Sequence, residues 1–281
     1  KADILRETEY ADAVMVHFDQ IDKDVIANLK NCKIIARSAV GYDNIDLKAA
    51  SEAKIPVTNV PDYCVEEVSN HTLMMVLNSA KKFNQLEANV KKGLWGDFAI
   101  AKPVHAIRNQ TLGLLGCGRI GIHTAEAAKG LGMHVIAYNR SQSQAAKDLG
   151  VEFVDLDGLF ARSDVLALQM PLADFNVGII NKENIAKMKD GVIIINNSRG
   201  QMVVEQDLAD ALNSGKVAFA GLDVVSTEPI RADNPLLTAK NCIITPHMSW
   251  GSQGSRQRIM DCTVNNIRAF LSGAPENVVN P

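Results

Sequence analysis

The sequence has few cysteines, and they form no recognisable pattern. Five occur in 281 residues, and no CxxC pair is present; they are Cys32, Cys64, Cys117, Cys242 and Cys262. An odd number of scattered thiols indicates neither a disulfide framework nor a zinc site. We therefore expect an intracellular, reducing compartment, the cytoplasm, and no bound metal.

Long apolar runs and a large excess of one charge are also missing. No uninterrupted apolar stretch approaches the roughly 18 residues of a membrane span. The net charge is −3 and the isoelectric point is near 6.1. These values give no reason to expect a nucleic-acid partner or an anionic membrane surface. A hydrophobic content of 47% and a charged content of 22% are typical of a globular protein, and the length favours two domains.

The beginning of the chain lacks an initiator methionine. The sequence starts at Lys1, and a polar lead-in precedes its first strand-like run. This stretch does not have the charged, apolar and small-residue succession of a signal peptide. We expect that an N-terminal segment is missing from the sequence.

Short β-branched runs alternate with helical patterns along most of the chain. This alternation predicts an α/β protein with parallel sheets, and continuous apolar runs such as VIII and VLAL favour a sheet that is covered on both faces. One clear helix is EQDLADALNS, after which Gly215 can supply a left-handed stop. The predicted strands are residues 13–16, 33–36, 57–59, 111–115, 134–138, 164–168, 192–196, 218–223 and 242–245.

Two longer helices are predicted, and they could connect two domains. Residues 64–92 place Val76, Leu77 and Ala80 on one face. Residues 252–271 carry a second apolar stripe, which consists of Ile259, Met260, Val264, Ile267 and Phe270.

The segment TLGLLGCGRIG has the glycine spacing of a dinucleotide site. Gly116 permits a tight turn after a strand, Gly118 lets the backbone approach a pyrophosphate, and Gly121 lets the helix pack closely. The helix N-terminus at Arg119 and Ile120 offers N–H groups to phosphate oxygens. Because strand, glycine loop, helix and the following strand HVIAY come in the required order, we predict a bound dinucleotide.

The acid that usually follows the second strand of such a site is missing. Asn139, Arg140 and Ser141 stand there instead. An acid would repel a 2′-phosphate, whereas a guanidinium can bind one. We therefore favour NADP as the cofactor. The alternative is NAD, and if NAD is bound, Arg140 is only a surface charge and Asn139 only a turn residue.

Three polar motifs directly follow predicted strands. They are NNSRG at 196–200, GLDVVSTEP at 221–229 and TPHMSW at 245–250. Side chains at the carboxyl ends of parallel strands converge on one crevice. Arg199, Glu228 and His247 should therefore share a neighbourhood.

With these motifs the sequence resembles the D-isomer-specific 2-hydroxyacid dehydrogenases over essentially its whole length. The segments SAVGYDNID at 38–46 and NVPDYCVEEVSNHTL at 59–73 carry the same resemblance. It implies two Rossmann-like domains with doubly wound parallel sheets and a site in the cleft between them. A cofactor domain at 64–251 would be inserted into a substrate domain at 1–63 and 252–281 that is incomplete at its N-terminus. The resemblance also implies a homodimer.

The resemblance assigns roles to individual residues. Arg199 would hold the substrate carboxylate and carbonyl, Glu228 would orient His247, and His247 would donate a proton, as histidine does well near neutral pH. The further cofactor contacts would be Pro171 and Asp223, the latter near the nicotinamide carboxamide or else a simple cap. Backbone N–H groups of Val40 and Gly41, together with Trp250, would complete the substrate site.

The activity implied is reduction of a small 2-keto acid to the D-2-hydroxy acid by hydride transfer from a nicotinamide cofactor. Substrates of the glyoxylate and hydroxypyruvate type and of the D-lactate type are both open. Trp250 and the segment VPDYCVEEVSNHTL also resemble the C-terminal-binding-protein branch. The alternative is therefore a cofactor-sensing, corepressor-like interaction module on the same fold.

The remaining histidines show no partner pattern, and we expect packing or surface roles for them. They are His17, His71, His105, His123 and His134. Cys117, inside the glycine loop, is expected to fill space, with a reactive thiol as the alternative.

Overall fold

The computed structural model describes residues 1–96, 104 and 106–280. The chain divides into two compact units, which we call unit 1 (Lys1–Cys64 with Gly251–Pro281) and unit 2 (Val65–Trp250). These bounds lie one residue from the predicted domain boundaries. The assignment of the units to substrate and cofactor stays a prediction.

The described residues form strands and helices in the alternating order that the sequence predicts. The strands are β1 Ala13–Val16, β2 Ile34–Arg37, β3 Val57–Thr58, β4 Thr111–Leu115, β5 His134–Tyr138, β6 Glu152–Phe153, β7 Val165–Leu168, β8 Val192–Asn196, β9 Val217–Leu222 and β10 Cys242–Ile244. The helices are α1 Ala2–Thr8, α2 Lys23–Asn28, α3 Leu47–Glu52, α4 Val65–Lys81, α5 Phe83–Lys91, α6 Arg119–Gly130, α7 Gln144–Asp148, α8 Leu156–Arg162, α9 Lys182–Lys187, α10 Glu205–Ser214 and α11 Gln253–Leu271. None of these helices is long and apolar enough to span a bilayer.

Unit 1 contains a three-stranded parallel sheet in the order β1-β2-β3. Its core consists of strand residues such as Val14 and Ile35 packed with Val25 of α2 and Ala50 of α3. Asp22 and Asp46 cap the N-termini of α2 and α3 through their carboxylates, which fits the preference of acids for that position.

Unit 2 contains a seven-stranded parallel sheet in the order β10-β9-β8-β7-β4-β5-β6. Neighbouring residues of one strand enter different cores: Ile194 packs in a cluster with Phe160 of α8, whereas Ile195 packs in another with Met75 of α4. Side chains alternate across a strand, so β8 is apolar from Val192 to Ile195 because both faces of the sheet are covered. This confirms the doubly wound parallel fold.

The strand order reverses at β4, which lies between β5 and β7. Ligands of open α/β sheets bind outside the carboxyl ends of the strands at such a switch point. The glycine loop follows β4, and the motifs with Arg199, Glu228 and His247 follow β8, β9 and β10. The topology therefore places all four segments along one edge of the sheet.

Several sequence predictions differ from the structure. Residues 64–92 form two helices, because Lys82 adopts a left-handed conformation between α4 and α5. Val76 and Ala80 are buried, but Leu77 is 40% exposed. The short strand β6 and the helix α1 were not predicted; β6 has only two residues, too few for an alternation pattern to emerge.

The buried face of α11 is more polar than predicted. Ile259 is buried, but the next residue of the predicted stripe, Met260, is 50% exposed. Asn266 is buried and donates to the carbonyl of Asn59 at 2.8 Å, and Thr263 is buried beside Ser38. The helix therefore packs partly on backbone and hydroxyl groups of unit 1, which a search for apolar periodicity does not detect.

Candidate active site

The glycine loop after β4 has the conformation that a phosphate site needs. Gly116 has φ 103°, and a Cβ there would lie 2.7 Å from the backbone of Gln169. A Cβ on Gly121 would lie 2.8 Å from the carbonyl oxygen of Gly116. At Gly118, the N-cap of α6, a Cβ would meet no atom of the described residues within 4 Å. The loop thus packs tightly on the protein side and has room at Gly118, so it fits a pyrophosphate on the helix N-terminus.

Asn139 connects this loop to the turn after β5. Its Oδ1 accepts from the backbone N–H of Cys117 at 3.3 Å, and its Nδ2 donates to the carbonyl of Ser141 at 2.5 Å. Arg140, between them, is exposed, and within the part of the chain that the structure describes its guanidinium makes no hydrogen bond or ion pair. Asn139 therefore shapes the turn, and Arg140 projects from it.

Cys117 is buried inside the glycine loop, with 2% of its surface exposed. Burial raises the pKa of its thiol to about 11. The thiolate is the reactive form of cysteine, so this thiol is inert at neutral pH. The space-filling role is the one that the structure supports.

Arg199 follows β8 in a tightly bonded turn. Asn196 donates from Nδ2 to the carbonyl of Arg199 at 2.9 Å, and its Oδ1 accepts from the N–H of Ser198 at 3.0 Å. At Gly200, a Cβ would lie 1.9 Å from the carbonyl carbon of Val225. Only glycine lets the Arg199 turn touch the loop after β9 this closely. Gly200 was not among the predicted site residues, although its position directly after the arginine in NNSRG was a signal.

Glu228 and His247 form a direct pair. Nδ1 of His247 lies 2.7 Å from Oε2 of Glu228, and the side chains are 29% and 37% exposed respectively. The other carboxylate oxygen, Oε1, accepts from the N–H of Val225 at 3.2 Å. The pair is thus anchored to the loop after β9 on the glutamate side.

The surroundings of Glu228 keep it ionised. Burial alone would raise the pKa of its carboxyl, but the hydrogen bond and charge of His247, the N–H of Val225 and the charge of Arg199 outweigh it, so the pKa is lowered. The charge effect of Arg199 also shows that the structure brings the three predicted catalytic residues into one electrostatic neighbourhood. An ionised carboxylate that is hydrogen-bonded to Nδ1 fixes the orientation of the imidazole ring.

Asp223 organises the segment that carries His247. Its carboxylate is fully buried and accepts from the hydroxyl of Thr245 at 2.5 Å and from the N–H groups of Met248 and Ser249 at 2.9 and 2.7 Å. Its carbonyl accepts from the N–H of His247 at 2.8 Å. In this position the carboxylate binds groups of this loop and is inaccessible to solvent. Its contact with a nicotinamide carboxamide stays a prediction.

Other predicted residues and histidines lie as follows. Trp250 donates from Nε1 to the carbonyl of His247 at 2.9 Å, so its indole braces the same loop. Pro171 is exposed after β7, and its carbonyl accepts from Asn176 at 2.9 Å.

Among the remaining histidines, His71 has a partner that the sequence did not indicate: its Nε2 lies 3.2 Å from Oγ1 of Thr245. The rings of His17 and Phe18 lie 4.2 Å apart at a tilt of 45°. His123 is half-buried, His134 is exposed, and His105 lies outside the described residues.

Val40 and Gly41 lie in a loop of unit 1 after β2. Asn59 donates to the carbonyl of Val40 at 2.8 Å, and Arg37 donates from Nε to the carbonyl of Gly41 at 2.9 Å. The side chains of unit 1 therefore hold this loop in shape. Its role in binding a substrate carboxylate stays a prediction.

Comparison with known proteins points to one group of oxidoreductases. Residues 73–249 match the family described as D-isomer specific 2-hydroxyacid dehydrogenase, NAD binding domain. A hydroxypyruvate reductase from Blautia hydrogenotrophica is 47% identical over 274 residues, which cover 96% of this chain and 85% of that protein.

Two solved structures cover 99% of this chain with a TM-score of 0.92. One is a D-lactate dehydrogenase from Aquifex aeolicus complexed with NAD and lactic acid, which is 32% identical and of which 89% is covered. The other is an acyclic imino acid reductase in complex with NADPH and D-Arg, which is 27% identical and of which 88% is covered.

Proposed function

We propose that this chain, which belongs to the D-isomer-specific 2-hydroxyacid dehydrogenase family, reduces hydroxypyruvate to the corresponding D-2-hydroxy acid. A keto acid of similar size, such as glyoxylate or pyruvate, is the other possible substrate. We also propose that the enzyme prefers NADPH. The family makes it an NAD(P)-dependent oxidoreductase. The observation that carries the proposal is the 2.7 Å contact between Nδ1 of His247 and Oε2 of Glu228. The similarity to a hydroxypyruvate reductase supports the choice of substrate.

The histidine–glutamate pair prepares a proton for the substrate. Because Glu228 accepts at Nδ1, we assign the proton transfer to the other ring nitrogen, Nε2 of His247. The protonated ring donates from Nε2 to the carbonyl oxygen of the keto acid as negative charge develops there. Glu228 stays ionised and stabilises the imidazolium before the transfer. When bound, the reduced nicotinamide supplies the hydride.

Arg199 orients the substrate in this proposal. A guanidinium presents its donors in a planar fork, which matches the carboxylate and carbonyl of a 2-keto acid. The turn that carries it is fixed by Asn196 and by the close approach of Gly200 to Val225. Backbone N–H groups of Val40 and Gly41 would take the other carboxylate oxygen, and Trp250 would border the substrate.

The turn after β5 supports a preference for NADP. The pyrophosphate would lie against Gly116, Gly118 and Gly121 and the N-terminal N–H groups of Arg119 and Ile120. Asn139 brings no negative charge, and Arg140 projects a guanidinium with no partner in the described residues. A 2′-phosphate is a dianion near neutral pH, so it would gain a charge-assisted contact there.

We also propose a homodimer that works in the cytoplasm. Both statements come from the resemblance and from the composition of the chain, and sedimentation and fractionation are their tests. Neither affects the chemistry proposed for Arg199, Glu228 and His247.

The test is a direct assay of the purified protein. It is mixed with NADPH or NADH and with hydroxypyruvate, glyoxylate or pyruvate, and the absorbance of the reduced nicotinamide is followed. We expect turnover with hydroxypyruvate and a higher kcat/KM with NADPH. Faster turnover with NADH would overturn the cofactor preference. Cofactor binding without turnover of any of these acids would overturn the enzymatic proposal and favour a cofactor-sensing module.

A further inference from the structure

We propose that His71 is a positioning residue of the active site, which acts through Thr245 and Asp223 on the turn that carries His247. The expected effect of His71 on turnover rests on the proposed function. The link itself is visible in the structure: His71 on α4 contacts Thr245 after β10, and Thr245 contacts Asp223 after β9. Residues from α4 and from the segments after β9 and β10, which are distant in the chain, thus meet at the turn that carries His247.

The distances define a chain of hydrogen bonds. Nε2 of His71 lies 3.2 Å from Oγ1 of Thr245, and this hydroxyl lies 2.5 Å from Oδ1 of Asp223. The direct separation between Nε2 of His71 and Oδ1 of Asp223 is 4.0 Å. The threonine hydroxyl therefore mediates between the imidazole and the carboxylate.

Counting protons fixes the direction of each bond. Asp223 already accepts from the N–H groups of Met248 and Ser249, so its carboxylate acts as an acceptor. The single hydroxyl proton of Thr245 then points to Asp223, because a carboxylate is the strongest acceptor in reach. The hydroxyl oxygen can only accept from His71, which must carry its proton on Nε2.

The environment of His71 agrees with a neutral ring. Burial lowers the pKa of this imidazole, and the charge of Asp223 only partly opposes that effect. The side chain is 16% exposed. Near neutral pH the ring is thus an uncharged donor whose tautomer is set by Thr245.

The turn at His247 has a conformation that needs such support. His247 has φ 53°, in the left-handed region that residues other than glycine seldom adopt. Asp223 holds the turn by accepting three hydrogen bonds: its carbonyl accepts from the N–H of His247, and its carboxylate accepts from the N–H groups of Met248 and Ser249. A rotation of that carboxylate would loosen the turn, and the link to His71 through Thr245 opposes the rotation. His71 thereby helps to hold the imidazole of His247 at Glu228.

The experiment compares two substitutions of His71 in the full chain. His71→Leu removes the donor, whereas His71→Gln retains an amide N–H at the same number of bonds from Cβ. Two readouts are taken: hydrogen exchange at the amides of Met248 and Ser249, and kcat with the cofactor Kd measured separately. His134→Leu, at an exposed histidine at the start of β5, is the matched control.

We expect His71→Leu to accelerate exchange at both amides and to lower kcat by about tenfold, the effect of one lost neutral hydrogen bond, with little change in cofactor Kd. His71→Gln should recover most of both losses, and His134→Leu should resemble the wild type. In a Thr245→Val background, His71→Leu should cause little further loss, because Thr245→Val has already broken the link to His71.

Unchanged exchange in His71→Leu, or a His71→Gln variant as impaired as His71→Leu, would overturn the inference. If His71→Leu unfolds, the His71→Gln variant and the pair Thr245→Val and Thr245→Ser give the same decision. Should the wild type reduce no keto acid, the proposed function fails, but the exchange measurement still decides whether His71 holds the turn.

Discussion

His247 and Glu228 lie 2.7 Å apart through Nδ1 and Oε2, although they come from loops after two different strands, β10 and β9. Each is held by its own local contacts. The N–H of Val225 donates to Oε1 of Glu228, and the carbonyl of Asp223 accepts from the N–H of His247. The protein's own groups thus hold the pair in place. Such preorganisation is what a proton donor needs, and it leads to the following predictions.

Replacement of His247 should remove the proton donor. We expect His247→Ala to lower kcat by about 10²–10⁴-fold, the usual contribution of a general acid, while cofactor affinity changes little. Steady-state kinetics and a fluorescence titration with NADPH measure the two effects. His134→Ala, at an exposed histidine, is the control. A loss of less than tenfold would remove His247 from the proposed role.

Arg140 should bind the 2′-phosphate of NADPH. We expect Arg140→Ala to weaken NADPH binding by about 10- to 100-fold, as for a charge-assisted hydrogen bond, and to leave NADH binding nearly unchanged. Lys147→Ala removes another exposed cation from the same unit and should affect neither cofactor. Equal losses with both cofactors would mean that Arg140 supports the loop instead.

Gly200 should be intolerant of a side chain. A Cβ there would overlap the backbone of Val225, so one loop must move. We expect Gly200→Ala to lower the free energy of unfolding by about 1–3 kcal/mol, as overpacking does, and to reduce kcat by displacing Arg199. Urea unfolding measures the first effect. Gly130→Ala is the control, because a Cβ at Gly130 meets no atom within 4 Å in the part of the chain that the structure describes, and the stability of this variant should not fall.

Glu228 should add a pH-dependent contribution to stability. Its pKa in the folded protein is lowered from 4.5, so the folded state favours the carboxylate. The contribution should be present above about pH 4.5, where the unfolded chain is also ionised, and should be lost as the pH falls through the lowered folded value. Glu228→Gln keeps the shape of the side chain but cannot ionise. The difference in unfolding free energy between wild type and variant should therefore shrink below pH 4.5; a constant difference would contradict the assignment.

Local patterns predicted most of the fold and the order of the site segments. Apolar β-branched runs marked nearly every strand, and the parallel arrangement then placed the segments after β4, β8, β9 and β10 at one edge. Short-range features of this kind depend on residues close in the chain. The pattern missed β6, which is very short, and α1, which lies in the polar beginning of the chain. It also missed the break between α4 and α5 at Lys82, and it failed where burial did not follow apolarity, as at Met260 and Leu77.

The sequence by itself determined which chemical groups are present and near which strand end each one lies. This is because the periodicity of apolar residues and the order of the motifs depend only on residues that are close together in the chain. Only the tertiary structure decided which of them touch. The contact of His71 with Thr245 joins positions 174 residues apart, and the need for glycine at position 200 arises from the backbone of Val225. Both depend on how the strands and helices pack against one another, and packing is a property of the folded chain that no short window of sequence contains.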